Sequence, residues 1–191
     1  MPIISVSGHS RKVGKTSIAA GLIAALPEYD WTALKVSSHR HAGDPDTDYT
    51  VIEETNRDGG NDTARFLKAG ARRAFWIQAG CIEAAIPAVR AIIETASFVV
   101  IEGNSVLDYI AADYSILVLN CGVAEFKESA RVILSRADAL VLIGETAAAP
   151  EWKNLLKSAP EKTLRFETSD PNIFPPGLTR IFHGISTAGA Q

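Results

Sequence analysis

The sequence predicts an α/β fold with a mostly parallel sheet and helices on both faces. Short runs rich in Ile, Val and Leu alternate along the chain with stretches of helical periodicity. The short runs are apolar throughout, as strands buried on both faces require, and do not alternate apolar with polar residues. The length of 191 residues, 47% of them hydrophobic and 21% charged, suits one compact domain over residues 1–191 with a frayed tail at about 187–191.

Each element has its own signal. Ile3 to Ser7 reads as a first strand, and Thr16 to Leu26 as a helix with Ala, Ile and Leu at helical spacing. Trp31 to Ser37 is a second strand. Residues 38 to 60 are polar and rich in Gly, Pro, Asp and Asn, so they read as a long loop. Within it Asp44, Asp46, Asp48, Glu53, Glu54 and Asp58 form a solvated acidic run. Asp62 to Ala69 is a helix, Ala74 to Gln78 a short strand, and Ile82 to Thr95 a helix that Pro87 either kinks or delays. Phe98 to Glu102, Ile116 to Asn120 and Leu140 to Ile143 are strands, with a helix at Glu125 to Ser135 between the last two. Glu151 to Ser158 is a late helix and Thr163 to Phe166 a final strand. The end, with Pro171, Pro175, Pro176 and Gly177, is expected to be irregular apart from a short terminal helix.

Composition excludes several classes. Nineteen basic against twenty-two acidic residues give a net charge of −3, a poor basis for general binding of nucleic acid or of an anionic membrane. No apolar stretch approaches the roughly 18–20 residues of a membrane helix. The two cysteines, Cys81 and Cys121, are too far apart in sequence for a CxxC pair. They read as small buried hydrophobes, and the chain as cytoplasmic.

The sharpest local pattern is Gly8-His9-Ser10-Arg11-Lys12-Val13-Gly14-Lys15-Thr16, followed by Ser17. It follows an apolar strand and opens a helix, the context a phosphate loop needs. Small residues let successive N–H groups turn inward toward phosphate oxygens, and the helix start adds partial positive charge. Lys15 then reaches the β- and γ-phosphates and the Thr16 hydroxyl ligates Mg²⁺. Five residues separate Gly8 from Gly14, one more than the usual four, which puts His9 where a glycine is common. The pattern makes the fold a three-layer P-loop NTPase type. Dethiobiotin synthetase and the cobyrinic and cobyric acid amide-forming enzymes have a similar five-residue spacing.

Magnesium in such a site needs carboxylates. Glu102 ends an apolar strand before Gly103, and a carboxylate there points into the ligand crevice. Asp62 is either a second metal ligand or an N-cap, roles that one carboxylate can combine. Lys35 lies near the end of the second strand. It either faces the crevice or guards a sheet edge. His39, Arg40 and His41 follow it and suit an anion or substrate contact, a solvated loop or, least well, a metal. Asn120 either touches the base or forms the turn before Gly122. No Asn-Lys-x-Asp guanine element is present, which leaves GTP and ATP both open.

Several of these segments together resemble the family of molybdopterin-guanine dinucleotide biosynthesis protein B. They are the phosphate loop, Leu34-Lys35 with His39-Arg40-His41, Asp62-Thr63-Ala64-Arg65-Phe66-Leu67-Lys68-Ala69-Gly70-Ala71, and Ile101-Glu102-Gly103. The resemblance covers roughly residues 1 to 105. It implies GTP binding with slow hydrolysis, a homodimer and a molybdopterin guanylyltransferase as partner. The loop spacing and Glu102-Gly103 resemble dethiobiotin synthetase instead. That resemblance implies an ATP-dependent ligase that activates a carboxylate or carbamate, with Lys35 on the substrate.

Overall fold

The computed structural model describes residues 1–38, 48–145 and 151–179. One sheet of eight strands runs through them in the order β3-β4-β2-β5-β1-β6-β7-β8. In chain order these are β1 (Ile3–Gly8), β2 (Trp31–Ser37), β3 (Tyr49–Glu53), β4 (Arg73–Ala79), β5 (Phe98–Glu102), β6 (Tyr114–Asn120), β7 (Ala139–Ile143) and β8 (Leu164–Thr168). All neighbours are parallel except β3, which runs antiparallel to β4 at one edge. The helices are α1 (Lys15–Ala25), α2 (Asp62–Ala69), α3 (Ile82–Glu94) and α4 (Glu128–Leu134). Two 3₁₀ segments, Ser105–Asp108 and Glu151–Ser158, complete the described elements.

Crossover handedness explains the layers. A strand–helix–strand connection is right-handed, so connections running in opposite directions along a sheet use opposite faces. From β1 to β2 the chain moves one way, carrying α1. From β4 to β5, β5 to β6, β6 to β7 and β7 to β8 it moves the other way. Accordingly Ile18, Leu22 and Ile23 of α1 pack with Phe66 and Leu67 of α2 on one face. Ala85 and Val89 of α3, Val106, Ile133 of α4, and Trp152 pack on the other. The strands feed both cores by alternation: in β6, Ile116 and Val118 face α1 while Leu117 and Leu119 face α3 and α4.

Several expected elements differ in detail. β3 lies inside the segment read as a loop. Its Val51 and Ile52 remain exposed, so no burial pattern marks it. Pro87 neither breaks nor delays α3. It sits in the helix, and both Pro87 and Glu83, whose carbonyl loses its partner, are exposed to water. The helix expected from Glu125 starts only at Glu128, because residues 125–127 bond to the loop after β1. Glu151–Ser158 is 3₁₀ rather than α. Cys121 is buried, but Cys81 is exposed beside the start of α3. After β8 the chain folds back over α1. Phe174 packs so tightly on Gly21 that a Cβ there would lie 2.7 Å from its ring, and Leu178 is buried in the α1-side core.

Candidate functional site

The sheet order makes β1 a switch point. Its following connection leaves toward β2, while the later strands β6 to β8 extend the other way. Ligand crevices form at the carboxyl ends of the strands at such points. A cleft of about 980 Å³ lies there, lined among others by residues 10–17, Lys35, Asp62, Arg65 and Glu102.

The loop between β1 and α1 is held in shape before any ligand arrives. Gly8 is tight because the loop curls over it. A Cβ there would lie 2.7 Å from Val13 Cγ2 and 2.8 Å from Lys15 Cγ. Asn104 clamps Gly8 from both sides: the Gly8 N–H donates to Asn104 Oδ1 at 3.1 Å, and Asn104 Nδ2 donates to the Gly8 carbonyl at 3.0 Å. Gly14 caps α1 at φ 104°, a conformation favouring glycine, and Lys12 is left-handed at φ 55°. No side chain caps α1 and its first turn carries no acidic residue, so its first N–H groups and its positive end face the cleft.

His9 explains the extra residue. Its N–H bonds the Val118 carbonyl, so it continues the β1 ladder by one position. Alternation then sends the imidazole to the face opposite α1, where it stacks near Phe126 and Trp152 and is fully buried. His9 is therefore not among the residues lining the cleft. Ser10 hydrogen-bonds the Glu125 carboxylate, and the Lys127 N–H donates to the His9 carbonyl at 2.9 Å.

On the cleft side the charged groups converge. Thr16 Oγ1 donates to Glu102 Oε2 at 2.8 Å. Lys35 Nζ lies 3.0 Å from Glu102 Oε1 and 2.5 Å from Asp62 Oδ2. Glu102 is only 3% exposed, and Gly103 behind it is obligatory because a Cβ would come within 2.8 Å of the Val36 carbonyl. Asn61, not Asp62, caps α2 by accepting from the Ala64 N–H at 2.7 Å, which leaves Asp62 free to face Lys35. Arg65 donates to Ser17 Oγ at 2.8 Å, and Ser17 donates to Asn172 at 3.1 Å. Lys15 Nζ donates to the Ser10 carbonyl at 3.0 Å. Burial pushes the Lys15 ammonium below its ordinary pKa, with Glu102 opposing and Lys35 and Lys127 adding to the fall. Burial also pulls on Lys35, but Glu102 and Asp62 outweigh it and raise its pKa.

Thus the structure brings together Gly8, Ser10, Arg11, Lys12, Val13, Gly14, Lys15, Thr16, Ser17, Lys35, Asp62 and Glu102 on one cleft. Asn120 is elsewhere: its side-chain oxygen accepts from the Gly122 N–H at 2.9 Å, making the turn, and it does not line the cleft. His39, Arg40 and His41 lie outside the described residues. Asn104, Arg65, Lys127 and Asn172 line the cleft and were not expected there from the residues themselves. The sequence signals were a polar residue just past Glu102-Gly103, for Asn104, and the Asp62–Ala71 segment of the resemblance, for Arg65.

Two carboxylates and a hydroxyl within reach of one another fit a hard divalent cation. Among the described residues no group of three or more His, Cys, Asp or Glu side chains converges. Also among the described residues, no helix is long and apolar enough to cross a membrane.

No family model matches the chain. No curated protein matches it by sequence. Solved structures do match. One is HypB from Helicobacter pylori in complex with nickel, at 16% identity and a TM-score of 0.53, covering 90% of this chain and 80% of that one. Another is the apo form of LpxK from Aquifex aeolicus in complex with ATP, at 19% identity and a TM-score of 0.51, covering 87% of this chain and 53% of that one. These likenesses show the fold, a three-layer α/β architecture with a mostly parallel sheet.

Proposed function

We propose that the chain binds a purine nucleoside triphosphate, GTP or ATP, together with Mg²⁺ and hydrolyses it slowly. The observation that carries this reading is the meeting of Lys15, Thr16 and Glu102 at the uncapped start of α1. The loop N–H groups and the α1 start hold the phosphate oxygens. Lys15 exchanges the Ser10 carbonyl for the β- and γ-phosphates and neutralises charge as the terminal phosphoryl departs. Thr16 and Glu102 would hold Mg²⁺, and Asp62 would support it or orient water. Bound there, Mg²⁺ would supply charge neutralisation to the departing phosphoryl group. LpxK, which shares this fold, is solved in complex with ATP, and that supports a nucleotide as the ligand.

The resemblance of residues 1 to 105 supports an accessory role in molybdenum cofactor guanylylation, as a cytoplasmic homodimer with a molybdopterin guanylyltransferase as partner. One observation favours a second reading, the ligase. The cleft continues past the loop to Ser105, Ser129 and Lys127, whose ammonium has no ion-pair partner among the described residues. There Lys35 and Lys127 would hold a carboxylate or carbamate.

A thermal-shift panel of ATP, GTP and their diphosphates with and without Mg²⁺ tests both. A ligand at a hundred times its Kd stabilises by about 2.7 kcal/mol. The preferred triphosphate raises Tm with Mg²⁺, and Lys15→Ala abolishes the shift. Unchanged calorimetric affinity in Lys15→Ala removes the proposal. ADP release that depends on diaminopelargonic acid and bicarbonate reverses the order of the two readings.

A further inference from the structure

Lys35 occupies an unusual position relative to the carboxylates assigned to the metal. It sits in register beside Glu102, on adjacent parallel strands, so both side chains leave the sheet on the same side. Its ammonium bridges Glu102 Oε1 at 3.0 Å and Asp62 Oδ2 at 2.5 Å, while the other oxygen of Glu102 receives the Thr16 hydroxyl. One cation therefore already satisfies the oxygens that a divalent metal would need.

We propose that Lys35 is an internal counter-cation that holds the divalent-metal ligands closed until a polyphosphate arrives, so that metal is admitted with the nucleotide and not before it. The proposal deepens the nucleotide-binding reading above and rests on it. Three further observations support it. The carboxylate pair has no third acidic, His or Cys partner among the described residues, so it competes for metal only weakly while an ammonium is bound. Lys15 and Lys35 line the same cleft and repel each other, and an anion entering between them relieves that repulsion. Lys35 carries its charge on a flexible four-carbon stem, so the ammonium can swing to a terminal phosphate by side-chain torsions while β2 stays in place. Asp62 keeps a second cation nearby, since Arg65 Nη1 lies 3.8 Å from Oδ1, but Glu102 has no other ion pair among the described residues. Glu102 is thus the group that Lys35 releases to the metal.

The test uses Mn²⁺ alone as the probe, with free Mn²⁺ followed by electron paramagnetic resonance in the absence of nucleotide. The wild-type chain leaves Mn²⁺ free. Lys35→Met binds one Mn²⁺ at least about tenfold more tightly than wild type. Adding Asp62→Asn to Lys35→Met returns the affinity toward the wild-type value. Lys35→Gln, which keeps a hydrogen-bond donor near Glu102, serves if Lys35→Met does not fold, and shifts in the same direction. Folded variants that bind Mn²⁺ no better than wild type overturn the proposal. So does a wild-type chain that binds Mn²⁺ alone as tightly as it does with a non-hydrolysable triphosphate. Failure of the nucleotide reading shows separately, as absent calorimetric binding of any triphosphate to wild type, because the comparison of wild type with Lys35→Met uses Mn²⁺ alone.

Discussion

The His9 imidazole has room for only one protonation pattern. Nε2 lies 3.1 Å from the Asn120 N–H and must accept from it, so Nδ1 carries the proton and donates to the Glu125 carbonyl at 2.8 Å. Protonating Nε2 would set two donors against each other. Burial holds the His9 pKa below its ordinary value of 6.5, with the hydrogen bond to Glu125 opposing. The sign follows from linkage: the unfolded chain takes up a proton that the native chain refuses. The His9 contribution is whole above about pH 6.5 and is lost as pH falls from there toward the depressed native value. Urea midpoints of wild type are therefore expected to fall more steeply between about pH 7.5 and about pH 5.5 than those of His9→Phe, which cannot titrate. Parallel curves for the two would refute the lowered His9 pKa. At this scale the sequence was legible where chemistry is local. Gly14-Lys15-Thr16 and Glu102-Gly103 needed only a strand and a helix around them. His9 was not, because one added ladder bond decides which face a side chain takes, and no residue in the loop announces it. For Asn120 the sequence offered the base contact and the turn before Gly122 equally, and the turn is what forms.

Among the elements, β5 is the most informative. Its register against β1 and β2 sets Glu102 beside both Val6 and Lys35, and Gly103 then passes under the Val36 carbonyl. Gly103→Ala must push against backbone rather than a flexible side-chain end. It should destabilise by about 1–3 kcal/mol, read as a lower urea midpoint at unchanged slope. A midpoint equal to wild type would mean that β2 yields there. The inner parallel strands were readable because both their faces are buried. β3 was hidden because Tyr49–Glu53 leaves Val51 and Ile52 exposed, sits among acidic residues and, among the described residues, pairs with β4 alone. The early start expected for α4 failed for a different reason. Residues 125–127 form bonds to the loop after β1, and such tertiary partners leave no periodic trace in the chain.

Over the whole molecule, the order of strands about β1 separates the two cores and opens the cleft between outgoing connections. The alternation of elements made the layers legible, but the fold-back after β8 was read only as irregular chain. Its Leu178 is 0% exposed, so Leu178→Ala should cost about 2–5 kcal/mol by urea denaturation. A cost near zero would show that the last described residues do not brace α1. The thiols give a simple check on the same packing. With a thiol reagent Cys81 should react in the native chain, while Cys121, buried and with its pKa pushed up by that burial, should react only after denaturation. The segment that braces α1 also supplies Pro171 and Asn172 to the cleft wall, with Pro171 Cβ only 2.8 Å from where a Cβ on Gly14 would stand. Occupancy and susceptibility to cutting are thus tied together. A molecule seated against residues 171 and 172 suppresses the local opening that a protease requires, so thermolysin should nick the stretch before Leu178 more slowly when the cleft is filled.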